Sequence, residues 1–217
     1  MIFTVPTRHL AGVRLWGDYN DLRSLHETIH ALTENSPFEE GIRETILGLA
    51  YEIRHAYQGD REKKRIGFDK YDQVDYKGAK MLWPIILFQA SALRYSAAFE
   101  PTTKDQQADL YRLEYSLEES LKEVDRGVAA ECIRFLNSPL FLPKDYYCLF
   151  LQIATNRYLE GPGGKRRFKK LPAILKSLYS SSDEYKAFAA HVEALAKEQN
   201  CSAHAFDSLA EDCDFKW

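Results

Sequence analysis

Apolar and polar positions alternate at the start of the chain, Phe3 and Val5 against Ile2 and Thr4, then Val13 and Leu15 against Arg14. A period of two marks half-buried strands, and Pro6 and Gly12 punctuate it, so a short β-hairpin is predicted. The period then lengthens. After the GDYND turn, Leu22, Leu25, Ile29 and Leu32 share one helical stripe, and Asn20 or Asp21 is placed to cap a helix that begins at Leu22. Pro37 and Gly41 interrupt the pattern before a second helix, in which Ile42, Ile46, Leu49, Ile53, Ala56 and Tyr57 fall on one face and which Gly59 ends. Residues 62–79 predict two further short strands about a polar turn at Asp69 to Asp72, completing a small antiparallel sheet.

From there the pattern is helical almost throughout. Trp83 and Pro84 open an apolar segment running to about Phe99, with proline tolerated because the first turn lacks a partner for that amide. Being apolar on all sides, this helix is predicted to be central to the core. After PTTK, the residues Leu110, Leu113, Leu117, Leu121, Val124, Val128, Cys132 and Phe135 sustain a stripe of helical period, predicting one long helix that Gly127 bends and Asn137-Ser138-Pro139 ends. Further helices are predicted at about 143–160, 166–180 and 182–199, the last capped by Ser181 or Ser182. The tail EDCDFKW is expected to be loosely ordered unless Phe215 and Trp217 dock.

Composition narrows the class. A chain of 217 residues with 45% hydrophobic content can bury one sizeable core, so a single domain over 1–217 is expected: sheet plus two helices over 1–80, a helical bundle over 81–200, and a tail over 201–217. The net charge of −3 gives no global attraction to nucleic acid or acidic lipid, so an anionic partner has to be met by a local patch. The start of the chain lacks the basic and apolar runs of a signal peptide, and MLWPIILF is too short to span a bilayer, which together predict a cytoplasmic protein without a membrane partner. Cysteines at 132, 148, 201 and 213 form no C-x-x-C pair and are expected to be reduced and inert.

Three segments, GVRLWGDYNDLRSL at 12–25, LAYEIRHAYQGDRE at 49–62 and LWPIILFQASALR at 82–94, resemble a bacterial family known only as a domain of unknown function. In that family a GDY turn leads into a helix, an IRHA-x-x-GDRE stretch ends the second helix, and an LWP segment opens a buried one. The resemblance covers roughly the first hundred residues. It implies an α+β arrangement and a bacterial cytosolic setting, and it implies no activity. The histidines of HETIH are not part of the pattern.

Three stretches carry candidate chemistry. HETIH at 26–30 has the HExxH spacing, which stacks His26 and His30 on one helical face as zinc ligands and sets Glu27 beside them as general base, with Glu52 or His55 on the second helix as a third ligand. The alternative is two boundary histidines on an amphipathic helix. The run 52–62 gathers Arg54, His55, Asp60, Arg61 and Glu62 at a helix end, where they form either a polar ligand pocket with Asp18 and Tyr19 or an ion-paired network tying helix to sheet. GPGGKRRFKK puts Lys165, Arg166, Arg167, Lys169 and Lys170 around a glycine-rich turn. Because Arg166 follows Lys165 where Walker A needs Ser or Thr, a phosphate loop is excluded, leaving an anion or nucleic-acid patch or a solvated loop.

The expected architecture is mainly helical α+β, about four short antiparallel strands on a bundle of six to seven helices. The leading functional reading is a protein without catalytic apparatus or cofactor that binds a protein or small ligand, with homo-oligomer formation left open. The alternatives are a zinc-dependent hydrolase built on HETIH, and an anion or nucleic-acid binder acting through 163–170.

Overall fold

A computed structural model describes residues 1–34, 36–67, 69, 73–138, 146–202, 206 and 214–217. Four strands form one antiparallel sheet: β1 (Phe3–Pro6), β2 (Gly12–Gly17), β3 (Glu62–Ile66) and β4 (Val74–Leu82), in the order β1-β2-β4-β3. The predicted hairpin pairs Phe3 with Trp16 and Thr4 with Leu15, and β4 pairs Leu15 with Ala79 and Val13 with Met81. Side chains alternate across a pleated strand, so Val13, Leu15, Ala79 and Met81 share one face, and all four are buried beneath the helices. The opposite face carries Phe3, Arg14, Trp16, Lys64, Tyr76 and Lys80. Of the predicted turn at 69–72, all but Asp69 lies outside the described residues.

The helices are α1 (Tyr19–Glu34), α2 (Glu40–Gln58), α3 (Trp83–Ser96), α4 (Lys104–Val124), α5 (Arg126–Leu136), α6 (Tyr147–Leu159), α7 (Lys165–Phe168), α8 (Leu171–Ser177) and α9 (Asp183–Glu198). As the all-round apolar pattern requires, α3 is central: it touches α1, α2, α4, α5, α6 and α8, and Trp83, Ile86, Leu87 and Phe88 are fully buried. α1 starts earlier than predicted, because Asp18 rather than Asn20 or Asp21 is its cap. The Asp21 N–H donates to the Asp18 carboxylate at 2.9 Å, and the Asp18 N–H donates back to Asp21 at 3.2 Å. Two of the helix's unpaired amides are satisfied reciprocally. Gly59 closes α2 in the left-handed region at φ 93°, its N–H and that of Asp60 turning back onto carbonyls of the last turn.

Two predicted helices are each split. The stripe from Leu110 to Phe135 is not one bent helix but α4 and α5, and the break is at Asp125, not Gly127. Asp125 is extended (φ −163°, ψ 114°), and its carboxylate accepts the N–H groups of Gly127 and Val128. An Asp side chain competes well for such amides, which makes a helix start there despite the continuous apolar spacing. The stretch predicted at 166–180 is α7 and α8, with Pro172 in the first turn of α8, where its missing N–H costs nothing. Ser182 caps α9, accepting the Tyr185 N–H at 3.0 Å.

Polar links set how the layers sit. On the sheet's inner face Thr4 Oγ1 donates to the Ser116 carbonyl at 2.7 Å and lies 2.7 Å from Ser120 Oγ, joining β1 to α4. Asp109 of α4, 2% exposed, accepts Ser24 at 2.7 Å and Thr28 at 2.9 Å from α1. The turn between β1 and β2 meets the far end of the chain. Tyr158 Oη donates to the Leu10 carbonyl at 2.5 Å, the Gly164 N–H to His9 at 2.8 Å, and the His9 N–H to the Trp217 carbonyl at 3.2 Å. Phe215 and Trp217 do dock, packing on the core in edge contact with each other. Among the described residues Cys132 and Cys201 are free thiols, Cys148 Sγ accepts Thr45 Oγ1 at 3.2 Å, and burial pushes the Cys132 thiol up to about 12; Cys213 lies outside the described residues.

Two stability effects follow. Asp125→Ala removes the cap of α5 and is expected to lower the unfolding free energy by about 1 kcal/mol in urea titration. Burial also holds the phenols of Tyr147 and Tyr158 above their ordinary value. Because a raised folded value means the folded state keeps its proton longer, this stabilisation is complete below about pH 10 and is lost as pH rises beyond it. Tyrosinate absorbance should therefore show these phenols ionising only together with cooperative alkaline unfolding.

Candidate functional site

The apolar stripes of α1 and α2 pack the two helices against each other and leave a polar seam along their outer edge. His26 and His30 are one turn apart on α1, with ring centroids 4.5 Å apart and tilted by 55°. His26 meets the edge of Tyr57 at 5.7 Å, and Tyr57 meets Tyr19 at 5.6 Å, so a row of rings runs His30, His26, Tyr57, Tyr19. Burial first, then the neighbouring His30 and Arg54, hold the His26 imidazolium below its ordinary value. Beyond His30 the seam opens into a cleft of about 520 Å³ between the end of α1 and the start of α2, lined by His30, Thr33, Glu34, Glu40, Arg43, Glu44 and Leu47.

Of the proposed zinc ligands, His26 and His30 come together, and the others are engaged elsewhere. Glu27 lies on the solvent side of α1, where Arg23 donates to it at 2.9 Å. Glu52 accepts both arms of Arg61 at 2.7 and 2.9 Å, and His55 Nδ1 lies 2.9 Å from Asp60. Among the described residues no group of three His, Cys, Asp or Glu side chains is placed to hold a metal ion. A zinc centre needs three protein donors, and of the proposed set His26 and His30 are the two that lie side by side.

The stretch 52–62, read as one pocket with Asp18 and Tyr19, is distributed over three places. Helical and strand periods send consecutive polar residues to different sides. Asp18 is engaged in the cap of α1, where burial acts to raise its carboxyl but the Asp21 N–H that it accepts and the nearby chain-terminal ammonium hold it below the ordinary value. Tyr19 joins the ring row, and Arg54 lies 5.4 Å over the Tyr51 ring. His55 also packs on Tyr51 at 4.4 Å, and its buried Nε2 has no hydrogen-bond partner among the described residues. Glu62 is on β3, 2.9 Å from Arg14 and 3.2 Å from Lys80 across the sheet.

Of the basic run, Lys165, Arg166, Lys169 and Lys170 are exposed, but Arg167 is 3% exposed and does not belong to an anion-binding surface. Its guanidinium donates to four carbonyls: His9 at 3.3 Å and Lys216 at 3.2 Å through one terminal nitrogen, Leu159 at 2.8 Å and Gly161 at 3.4 Å through the other. Sequence reasoning missed this, as it missed the buried Asp109, because both depend on partners distant in the chain. Replacing Arg167 by Met is expected to lower stability by about 3 kcal/mol, since four acceptors lose a charged donor, and chemical denaturation measures it. In proton NMR, His26 should titrate below about 6.5, and His30→Gln should move its midpoint upward.

No curated protein and no solved structure matches the chain. The family resemblance carried by the first hundred residues extends much further: the model of one family covers residues 2–217. The chain belongs to that family, described as Domain of unknown function (DUF6904).

Proposed function

We propose that this is a cytoplasmic bacterial protein that acts by binding a small ligand or protein segment, not by catalysis, and that the contact region is the seam between α1 and α2. One observation carries the reading: three acid or base side chains flanking the seam are engaged by neighbours, Glu27 by Arg23, Glu52 by Arg61 and His55 by Asp60, while His26 and His30 pack ring on ring. What is left for a partner is the cleft itself. Its volume of about 520 Å³ falls in the range of small-ligand sites. Glu34, Glu40 and Glu44 outnumber Arg43 on its rim, so the ligand carries a basic group and apolar surface to meet Leu47. No described helix is long and apolar enough to cross a membrane, which agrees with a soluble setting.

Isotope-labelled protein titrated with a library of small amines and short basic peptides tests this. Amide shifts are expected to cluster at His30, Thr33, Arg43 and Leu47 and to vanish in a folded Leu47→Asp variant. Turnover of ester or peptide substrates that disappears in Glu27→Gln would sink the reading, as would shifts scattered away from the seam.

A further inference from the structure

The sheet's second face is unlike the rest of the molecule. A chain of net charge −3 places six cations on β2, β3 and β4, namely Arg14, Lys63, Lys64, Arg65, Lys77 and Lys80, against two carboxylates, Glu62 and Asp75. Register assigns Arg14, Lys64 and Lys80 to the face turned away from the helices, together with Phe3, Trp16 and Tyr76. Phe3, Arg14, Lys64, Tyr76 and Lys80 are each partly exposed.

Three aromatic rings lie on this face. Phe3 and Tyr76 are 5.5 Å apart with their planes tilted by 60°. Trp16 is opposite Gly78, and a Cβ there would come within 2.5 Å of the indole, so glycine is what lets the ring lie flat over the backbone of β4. The indole is nevertheless only 6% exposed, because the Lys64 ammonium sits 4.2 Å from its centre and 4.4 Å from that of Phe3. Burial, and then the nearby Arg14, hold that ammonium below its ordinary value. Lys64 thus lies over these rings at a cost in solvation that an outside anion would relieve.

We propose that this face binds single-stranded nucleic acid, with bases stacking on Tyr76, Phe3 and Trp16 and phosphates meeting Lys64, Arg14 and Lys80. Unpaired bases expose the planar faces that such rings accept, whereas duplex bases are already stacked on one another. A cationic ligand for the same rings is disfavoured by Arg14 and Lys80, and Glu62, which bridges those two, leaves the face with excess positive charge. The site is independent of the acidic cleft between α1 and α2, so either reading stands or falls alone.

The test is fluorescence anisotropy of labelled mixed-sequence RNA and DNA oligomers of about ten nucleotides, titrated with the full chain. Three phosphate contacts predict that affinity falls about tenfold to twentyfold between about 50 and about 200 mM salt. Lys80→Ala should reduce the logarithmic salt slope by about 0.7. Tyr76→Ala, or Phe3→Leu if that variant does not fold, should weaken binding by about fivefold or more while keeping the salt slope. Absence of binding at the lower salt overturns the proposal. So does equal binding of duplex or heparin that Tyr76→Ala leaves intact, which is electrostatic adhesion only. Binding lost with Arg166→Ala but not with Lys80→Ala moves the site to residues 165–170 and overturns it as well.

Discussion

The arrangement of this molecule depends on one buried cation, Arg167, held by backbone carbonyls. Taking a guanidinium out of water costs several kcal/mol, and Arg167 recovers this from carbonyl dipoles. Leu159 is the last residue of α6, so its carbonyl is among those the helix leaves unpaired, at the end where the helix dipole is negative. Gly161 adds a second acceptor from the glycine turn, His9 a third from the hairpin, and Lys216 a fourth from the tail. Because the fork of a guanidinium is planar and rigid, four acceptors on it are fixed relative to one another. The hairpin turn is then anchored from three sides, since Ala11 also accepts the first N–H of α3, and the sheet is oriented on the helices through it.

A second set of polar contacts fixes rotation where apolar packing alone would permit sliding. Leucines on α1 and α4 bury equally well in more than one register, but Asp109 is fully buried and requires the hydroxyls of Ser24 and Thr28. Thr4 plays the same part between β1 and α4. On the far side of α4, Arg94 of α3 meets Glu114 through two hydrogen bonds of 2.7 Å and Gln107 at 2.9 Å. Contacts of this kind add specificity to a core whose bulk stability comes from the apolar residues around α3.

What was legible in the sequence was local. The leucine spacing of α1, the apolar girth of α3, Gly59 and Ser182 each announce an element through its own residues. Asp125 did not, because Val124 and Val128 continue the apolar period across it, and only its side chain's competition for Gly127 and Val128 decides the break. Arg167 read as one of five similar cations, and two of the carbonyls that hold it, those of His9 and Lys216, are far away in the chain. The run 52–62 is a related case. Nearness along it suggested one pocket, but a change from helix to strand within that stretch puts Glu62 on β3 against Arg14, while Glu52 and His55 stay on α2 with Arg61 and Asp60. Charge was likewise legible only as a total, whereas strand register sets Arg14, Lys64 and Lys80 together on one face.

The links that hold the hairpin also fix its place in the order of events during synthesis. Thr4 awaits Ser116, Leu10 awaits Tyr158 and His9 awaits Arg167, separations of 112, 148 and 158 residues. Closing loops of that length is slow compared with forming helices, so the strands made earliest are secured last. Until the ribosome has delivered α4, β1 at the edge of the sheet lacks the helix its inner face packs against. That interval is when this protein is most exposed to strand-to-strand misassociation.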